Sequence, residues 1–198
     1  MKLALSATVL AVTFAVRVQA TEAILTDSPN EVGFSQGTAG WTFQPLTDIS
    51  VTALGAFQDA VTNTPAIEVG LWNATGTLLA SNTITTASLL VDQSMYESIT
   101  PVTLMAGQTY YLGAFGGPLA VTVYDPTVGP GSVTLASELQ LGAAVSSTNN
   151  VFEFPIGDQG SPGSSVLVPN FEFTVVPEPT TLCLLGGGLF IFTARRRR

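Results

Sequence analysis

The sequence predicts an all-β fold, an antiparallel β-sandwich of jelly-roll type, and three observations support this. Short β-branched or aromatic runs alternate apolar with polar residues. Gly, Pro, Thr and Asn punctuate them about every 8 to 12 residues, and no stretch carries the period of an amphipathic helix. Regular short strands with such turns suit a two-sheeted sandwich. Residues 21–176 are enough for one such domain and hardly two. An N-terminal signal helix (residues 1–20) and a C-terminal apolar tail helix (residues 177–198) are expected to flank it.

Taken in order, 49–57 is β-branched and alternates in its first half. In 66–72, Ile67, Val69 and Leu71 alternate against Glu68 and Gly70, and Asn73-Ala74-Thr75-Gly76 reads as a hairpin turn into 77–85. Strands are predicted at 96–100 and 102–105. Ala106-Gly107-Gln108 then turns the chain into the aromatic run 109–115. Later strands are predicted at 120–124, 132–135, 150–154 and 171–176, with a mobile loop at 157–163 around Ser161-Pro162.

Charge is distributed very unevenly. All six basic residues, Lys2, Arg17 and Arg195 to Arg198, lie in the two terminal segments. Of fourteen Asp and Glu, all but Glu178 fall between residues 21 and 176, a region with no Lys, Arg, His or Cys. The lack of histidine excludes Ser-His-Asp and Cys-His catalysis and the usual His-ligated zinc. The lack of Lys and Arg excludes an electrostatic footprint for nucleic acid. Carboxylate chemistry stays open, since a glycosidase needs only two acids in contrasting environments. No metal or other cofactor is expected. The remaining metal option is a dispersed Ca²⁺ site using some of Asp59, Glu68, Asp92 and Asp125, against a reading of these as solvated surface charges. Asp158-Gln159-Gly160 reads as a turn, because the second half of an aspartic-protease dyad is missing.

Trp41, Trp72, Tyr96, Tyr110, Tyr111 and Tyr124 could form a sugar-stacking platform, but core packing is the first reading of most of them, Trp72 among them. Tyr110 and Tyr111 are consecutive, so they point to opposite faces of one strand, and one of them is the candidate ligand contact. Asn73-Ala74-Thr75 matches a glycosylation sequon and is read as accidental.

The termini specify targeting. Lys2, the apolar run 3–16 and Val18-Gln19-Ala20 form a signal peptide, with cleavage expected after Ala20. At the other end stand Pro177, Glu178 and Pro179, then an apolar segment 180–194 broken by three glycines, then Arg195, Arg196, Arg197 and Arg198. Fifteen residues of helix span about 22 Å, short of a roughly 30 Å hydrocarbon core. The arginine cluster keeps that end cytoplasmic. This Pro-Glu-Pro, apolar helix and arginine order resembles the PEP-CTERM sorting signal. The resemblance implies recognition by an exosortase-type processing enzyme, transient anchoring in the inner membrane, and delivery to the envelope, outer surface or extracellular matrix. The alternative is an ordinary C-terminal transmembrane helix. Separately, Gly40-Trp41-Thr42-Phe43, Val51-Thr52-Ala53-Leu54-Gly55, Val69-Gly70-Leu71-Trp72, Gly76-Thr77-Leu78-Leu79-Ala80 and Leu104-Met105-Ala106-Gly107-Gln108-Thr109-Tyr110 are similar to an uncharacterised β-sandwich domain of exported bacterial proteins. That likeness covers about Gly33 to Gly116 and implies the fold alone.

The expected function is therefore an exported, non-enzymatic envelope or matrix protein, adhesive or glycan-binding, with extracellular polysaccharide as a candidate partner and no nucleic acid. The alternative is a carboxylate-dependent polysaccharide hydrolase. Between residues 21 and 176 carboxylate repulsion has no cation to offset it, and salt screens it within about 8 to 10 Å. The melting temperature at pH 7 should therefore be higher in 0.5 M salt than in 10 mM salt; a flat or inverted dependence would show that repulsion is not limiting.

Overall fold

Alternation of apolar and polar residues gives each strand one face for a core, and two such faces meet here. The computed structural model describes residues 20–26, 31–34, 37–62, 66–116, 121–124, 133–160 and 169–177. In chain order the strands are β1 (Thr21–Glu22), β2 (Ile24–Thr26), β3 (Glu31–Phe34), β4 (Ala39–Pro45), β5 (Ile49–Phe57), β6 (Ile67–Asn73), β7 (Leu78–Ile84) and β8 (Leu89–Val91). They continue with β9 (Ser94–Leu104), β10 (Tyr110–Phe115), β11 (Val121–Tyr124), β12 (Val133–Leu135), β13 (Leu139–Ser146), β14 (Gly157–Gly160) and β15 (Pro169–Val175); one helical turn, α1 (Gln58–Thr62), follows β5. A five-stranded sheet has the order β1-β15-β5-β9-β8 and a six-stranded sheet the order β14-β13-β4-β10-β6-β7. Two further pairs, β11-β3 and β12-β2, accompany them, and every pairing is antiparallel. The all-β, antiparallel, two-sheeted expectation holds. The signal helix and the tail helix fall outside the described residues.

The core lies between the two sheets. Ala39, Trp41 and Phe43 of β4, Ile67, Val69 and Leu71 of β6, and Tyr110, Leu112 and Ala114 of β10 line one side; Ile49, Val51 and Leu54 of β5 and Phe171 and Phe173 of β15 line the other. Ring centroids lie 4.9 Å apart for Phe43 and Phe171 and 5.2 Å apart for Trp41 and Phe43. Trp41 and Phe171 stack at 6.0 Å with an 18° interplanar angle. Each large side chain buried here contributes about 1.5–3 kcal/mol. The Trp41 Nε1–H donates to the Pro169 carbonyl at 2.9 Å, so a polar bond ties the sheets through the core.

Several sequence expectations map directly. The strand at 49–57 is β5, 66–72 is β6 shifted by one residue, and the hairpin turn closes through Gly76 N–H to the Asn73 carbonyl at 3.0 Å. Gly76 has φ +81°. The Asn73 side-chain oxygen accepts from Thr75 N–H, Thr75 Oγ1 and Thr77 N–H, so the sequon residues build the turn itself.

Other expectations are corrected. The strands at 96–100 and 102–105 are one strand, β9, which runs through Pro101. Its ladder with β5 passes from Ser98–Ala53 to Val102–Val51 with a register shift, so Pro101 sits where the ladder is interrupted. Residues 150–154 are not a strand but part of a loop. Residues 157–160 form β14, paired with β13, rather than the start of a loop or a turn at Asp158. The unexpected strand β13 carries a register shift between Leu141 and Ala144, around Gly142, which breaks its alternation.

Gly40 of β4 stands opposite Gly113 of β10, and Gly113 stands opposite Gly70 of β6. This row of three glycines lets adjacent backbones and overlying rings approach closely. A Cβ on Gly40 would lie 1.9 Å from the Leu112 carbonyl oxygen, an obstruction of backbone rather than of a movable side chain. Gly40→Ala should cost at least about 3 kcal/mol in denaturant unfolding, as overpacking against fixed atoms does. Gly107→Ala, where φ is +72° but the space is open, should cost about 1–2 kcal/mol. Equal losses would mean that backbone conformation, not close packing, sets the glycine requirement.

Candidate functional site

The outward face of the six-stranded sheet carries the residues of β6 and β10 that alternate with the core: Glu68, Gly70 and Trp72, and Tyr111 and Gly113. The glycine row leaves a lane across this face. The Trp72 indole folds over Gly70 and Gly113, Phe152 presses on Gly70, and Pro155 abuts Gly113. Ring centroids are 5.2 Å apart for Trp72 and Phe152 and 4.7 Å for Tyr111 and Phe154, the latter edge-on at 60°. Thr38 fastens this covering loop. Its hydroxyl donates to the Val151 carbonyl at 3.2 Å and accepts from Glu153 N–H at 3.0 Å, while its own N–H donates to Ser147 Oγ at 2.9 Å. Beside the loop lies a recess of about 280 Å³, whose lining includes Asn149, Glu153, Phe154 and Ile156.

A second cluster lies on the five-stranded sheet. Tyr96 of β9 lies across Gly55 of β5, where a Cβ would meet its ring at 2.4 Å. Its hydroxyl donates to Glu22 Oε2 at 2.6 Å and accepts from Asn170 Nδ2 at 2.7 Å. The buried Asn170 amide also exchanges two bonds with the Ile24 backbone: Ile24 N–H to Oδ1 at 3.1 Å and Nδ2 to the Ile24 carbonyl at 2.8 Å. Three strands, β1, β9 and β15, therefore meet at one polar knot. Glu22 faces Glu172 across the β1–β15 ladder. Its carboxyl is pushed up to about 7, first by loss of water, then by a hydrogen bond shared with Asp92 and by the charges of Asp92 and Glu172; the Tyr96 hydroxyl opposes the rise. Burial also raises Glu172 and, together with Glu22, raises the Tyr96 phenol.

The sequence candidates separate in space. Tyr110 faces the core, and its hydroxyl accepts from Met105 N–H at 3.0 Å; Tyr111 is half-buried on the opposite face against Phe154. Trp41 is in the core. Trp72 is buried outside it, beneath the loop. Of the calcium candidates, Glu68 belongs to the six-stranded sheet, whereas Asp92 turns β8 into β9 in the five-stranded one with φ +47°. The Asp59 side chain and Asp125 lie outside the description. Among the described residues no group of three or more acids is placed to hold a metal ion. Ala20 is exposed directly before β1, and Pro177 is exposed directly after β15; Glu178, Pro179 and Arg195 to Arg198 lie outside the described residues, as does Cys183. No helix among the described residues is long and apolar enough to cross a membrane. Sequence reasoning missed the Glu22–Tyr96–Asn170 knot, because its members are 74 residues apart at each step and no local motif marks them.

A family model described as "Domain of unknown function (DUF4082)" matches residues 25–161, and one described as "PEP-CTERM protein-sorting motif" matches residues 175–198. The first match extends past Gly116, where the sequence likeness ended, through β13 and β14 and stops short of β15. No curated protein matches the chain. Among solved structures, the VP2 subviral particle of infectious bursal disease virus aligns at 14% identity over 91% of this chain and 47% of its own, with a TM-score of 0.20. The chain thus spans about half the length of that protein, and so slight a likeness carries no argument.

Ionisation of Glu22 makes the knot testable. The folded state holds this proton up to about 7 and the unfolded chain only to about 4.5, so between these values the folded state binds more protons and stability falls as pH rises. Glu22→Gln keeps an acceptor for Tyr96 and removes the charge. It should match the wild type near pH 4.5 and exceed it at pH 8 by on the order of 1 kcal/mol, once solvent screening of a half-exposed carboxylate is allowed for. Parallel stability curves for the two proteins from pH 4 to 8 would show that Glu22 ionises freely in the fold.

Proposed function

The chain belongs to the DUF4082 family and carries a PEP-CTERM sorting motif, and from this we propose that it is a non-enzymatic structural or adhesive protein of the envelope or extracellular matrix. The motif makes it an exported, exosortase-sorted protein of the cell envelope. The observation that carries the reading is the position of that motif. β15 ends at Val175, Val176 N–H donates to the Asp48 carbonyl at 2.9 Å, and Pro177 follows at the surface. The sorting signal thus begins where the sandwich ends, and the sandwich is the part to be delivered. In this reading the apolar segment 180–194 holds the chain in the inner membrane only until the tail is processed.

Glycan contact is the adhesive form of the proposal, and Tyr111 with the neighbouring recess is its candidate surface. The hydrolase alternative has one observation in its favour, the raised carboxyl of Glu22 beside Asp92. It is not adopted, because Glu22 is engaged by the Tyr96 hydroxyl, and neither acid lines the recesses at 79–102, 146–157 or 66–116. A hydrolase would need both acids open to a substrate cleft.

The test is intact mass and fractionation of the protein expressed in an exosortase-bearing host. Wild type should yield a mature form lacking Arg195 to Arg198. The Pro177→Ala/Glu178→Ala/Pro179→Ala variant should keep its C-terminus and stay in the membrane fraction. An intact C-terminus in both would reduce the tail to a plain membrane anchor.

A further inference from the structure

The two sheets leave one side of the sandwich open. β7 is the last strand of the six-stranded sheet and pairs only with β6 among the described residues. On the same side, β8 pairs with β9 at residues 94–96, and among the described residues the remainder of β9 has a ladder on its β5 edge alone. Asn82 Nδ2 donates to the Ser98 carbonyl at 3.1 Å, bridging the two edges. Between them runs a groove of about 450 Å³, lined by residues 79–82 and 98–102.

The two edges are not equivalent. β9 is blunted by Pro101, which has no N–H to offer and sits at a register shift. β7 carries neither proline nor charge along its seven residues, so apart from Thr83 N–H, which donates to Asn82 Oδ1 at 2.9 Å, it presents a row of uncovered backbone donors and acceptors. Its outward side chains at Leu78, Ser81 and Thr83 are exposed, and the run that contains it also exposes Leu89 and Leu90.

The charge map selects the occupant. Between residues 21 and 176 there are carboxylates and no basic side chains, so identical copies repel one another over most of their surface. The two longest stretches of this region without a carboxylate are 69–91 and 98–124, and they supply β7 and both walls of the groove. A cationic partner would be drawn to the acidic surfaces and would gain nothing from a neutral edge. An identical anionic copy approaches with least repulsion there, and an antiparallel strand pair about a two-fold axis sets the same neutral patch against itself.

We propose that β7 is a self-association edge, where a second copy of this chain adds its own β7 antiparallel and joins the two six-stranded sheets across a two-fold axis near Ser81. This deepens the structural-protein reading by naming the partner as the chain itself. Failed sorting would appear as a wrong location, and failed pairing as missing cross-links, so the two readings fail separately.

Residues 21–176 contain no cysteine, so a single introduced thiol reports the contact once Cys183 is replaced. The full chain carrying Cys183→Ala would be expressed in an exosortase-bearing host with Ser81→Cys or Thr83→Cys, and with Gln140→Cys as an exposed control on β13. Non-reducing gels and intact mass read the product after mild oxidation. Ser81→Cys should give at least about tenfold more disulfide-linked homodimer than Gln140→Cys, because pairing raises the effective thiol concentration. Adding Thr83→Asp, which puts a carboxylate on the edge opposite the apolar Leu78–Leu79 end of the second copy's β7, should reduce that yield. Monomer from both β7 variants, equal cross-linking at Gln140→Cys, or an adduct with a different protein would each overturn the proposal. Thr83→Cys stands about 14 Å from its mate when the axis lies near Ser81, so it is read with a bismaleimide of that span, which keeps the outcome decisive if Ser81→Cys folds poorly.

Discussion

The bond from the Trp41 indole to the Pro169 carbonyl, 2.9 Å long and spanning 128 residues, marks the contact on which the sandwich depends. It holds β15 against the six-stranded sheet while β15 is inserted between β1 and β5. Phe171 and Phe173 reach the core from this strand, and Phe171 packs on both Trp41 and Phe43. Without β15 the short β1 would lose its partner and the central aromatic cluster would lose one side. Closure therefore depends on contacts of high sequence separation, which form late and slowly. The family match ends at residue 161 and the sorting match starts at 175, so the closing strand lies largely between the two recognised segments. An enzyme that reads Pro177 meets it one residue beyond the Val176 bond to Asp48, close against the finished fold.

The absence of basic side chains from residues 21–176 governs how the polar interior is built. A fold with Lys or Arg could satisfy buried acids by ion pairing. Among the described residues the buried polar side chains are Thr38, Thr42, Ser88, Ser94, Ser146, Ser147 and Asn170, all of them neutral. Asn170 replaces a strand residue by exchanging amide bonds with Ile24, and Thr38 pins the covering loop through three bonds. A neutral amide carries a smaller desolvation cost than a charge and needs no counter-ion. The partly buried Glu22 meets the same constraint differently: it takes a phenol as donor and shares a hydrogen bond with Asp92, which favours keeping its proton.

Much of the fold was legible in sequence wherever local chemistry decided it. β5 could be read from its β-branched alternation, and the Asn73–Gly76 turn from residues that make the same bonds in any context. Legibility failed where a neighbour decided. Pro101 looks like a strand break until its position at the β5–β9 register shift is known. β13 hides its period behind the irregularity at Gly142, where a Cβ would strike Thr42. Residues 150–154 resemble a strand because Phe152 and Phe154 alternate, yet these rings serve the outer face by filling the glycine lane. The opposite directions of Tyr110 and Tyr111 followed from strand geometry, but the partner that half-covers Tyr111 did not. Of the candidate sites, the sorting motif was readable because it is contiguous. The knot around Glu22 was not, because it exists only after three distant strands are brought together.

This distribution bears on where the domain can meet other molecules. The outward face of the six-stranded sheet is covered by the protein's own loop over Trp72 and Tyr111, which leaves the recess beside Phe154 as its accessible part. On the five-stranded sheet, the β1–β15–β9 region holds Glu22, Glu172 and Asp92 close together, a region that repels anions, identical copies included. The side formed by β7 and residues 98–104 of β9 differs from both: it carries no charge, is apolar in part and is incomplete in its hydrogen bonding among the described residues. A sheet edge gains more from a strand than from a small ligand, since a strand supplies donors and acceptors at the backbone repeat. Thirteen uncompensated carboxylates, counted as the fourteen of the chain less Glu178, keep such domains apart everywhere else. The same charge leaves the β7 edge as the place of least repulsion between copies, and a two-fold pair formed there closes after two of them.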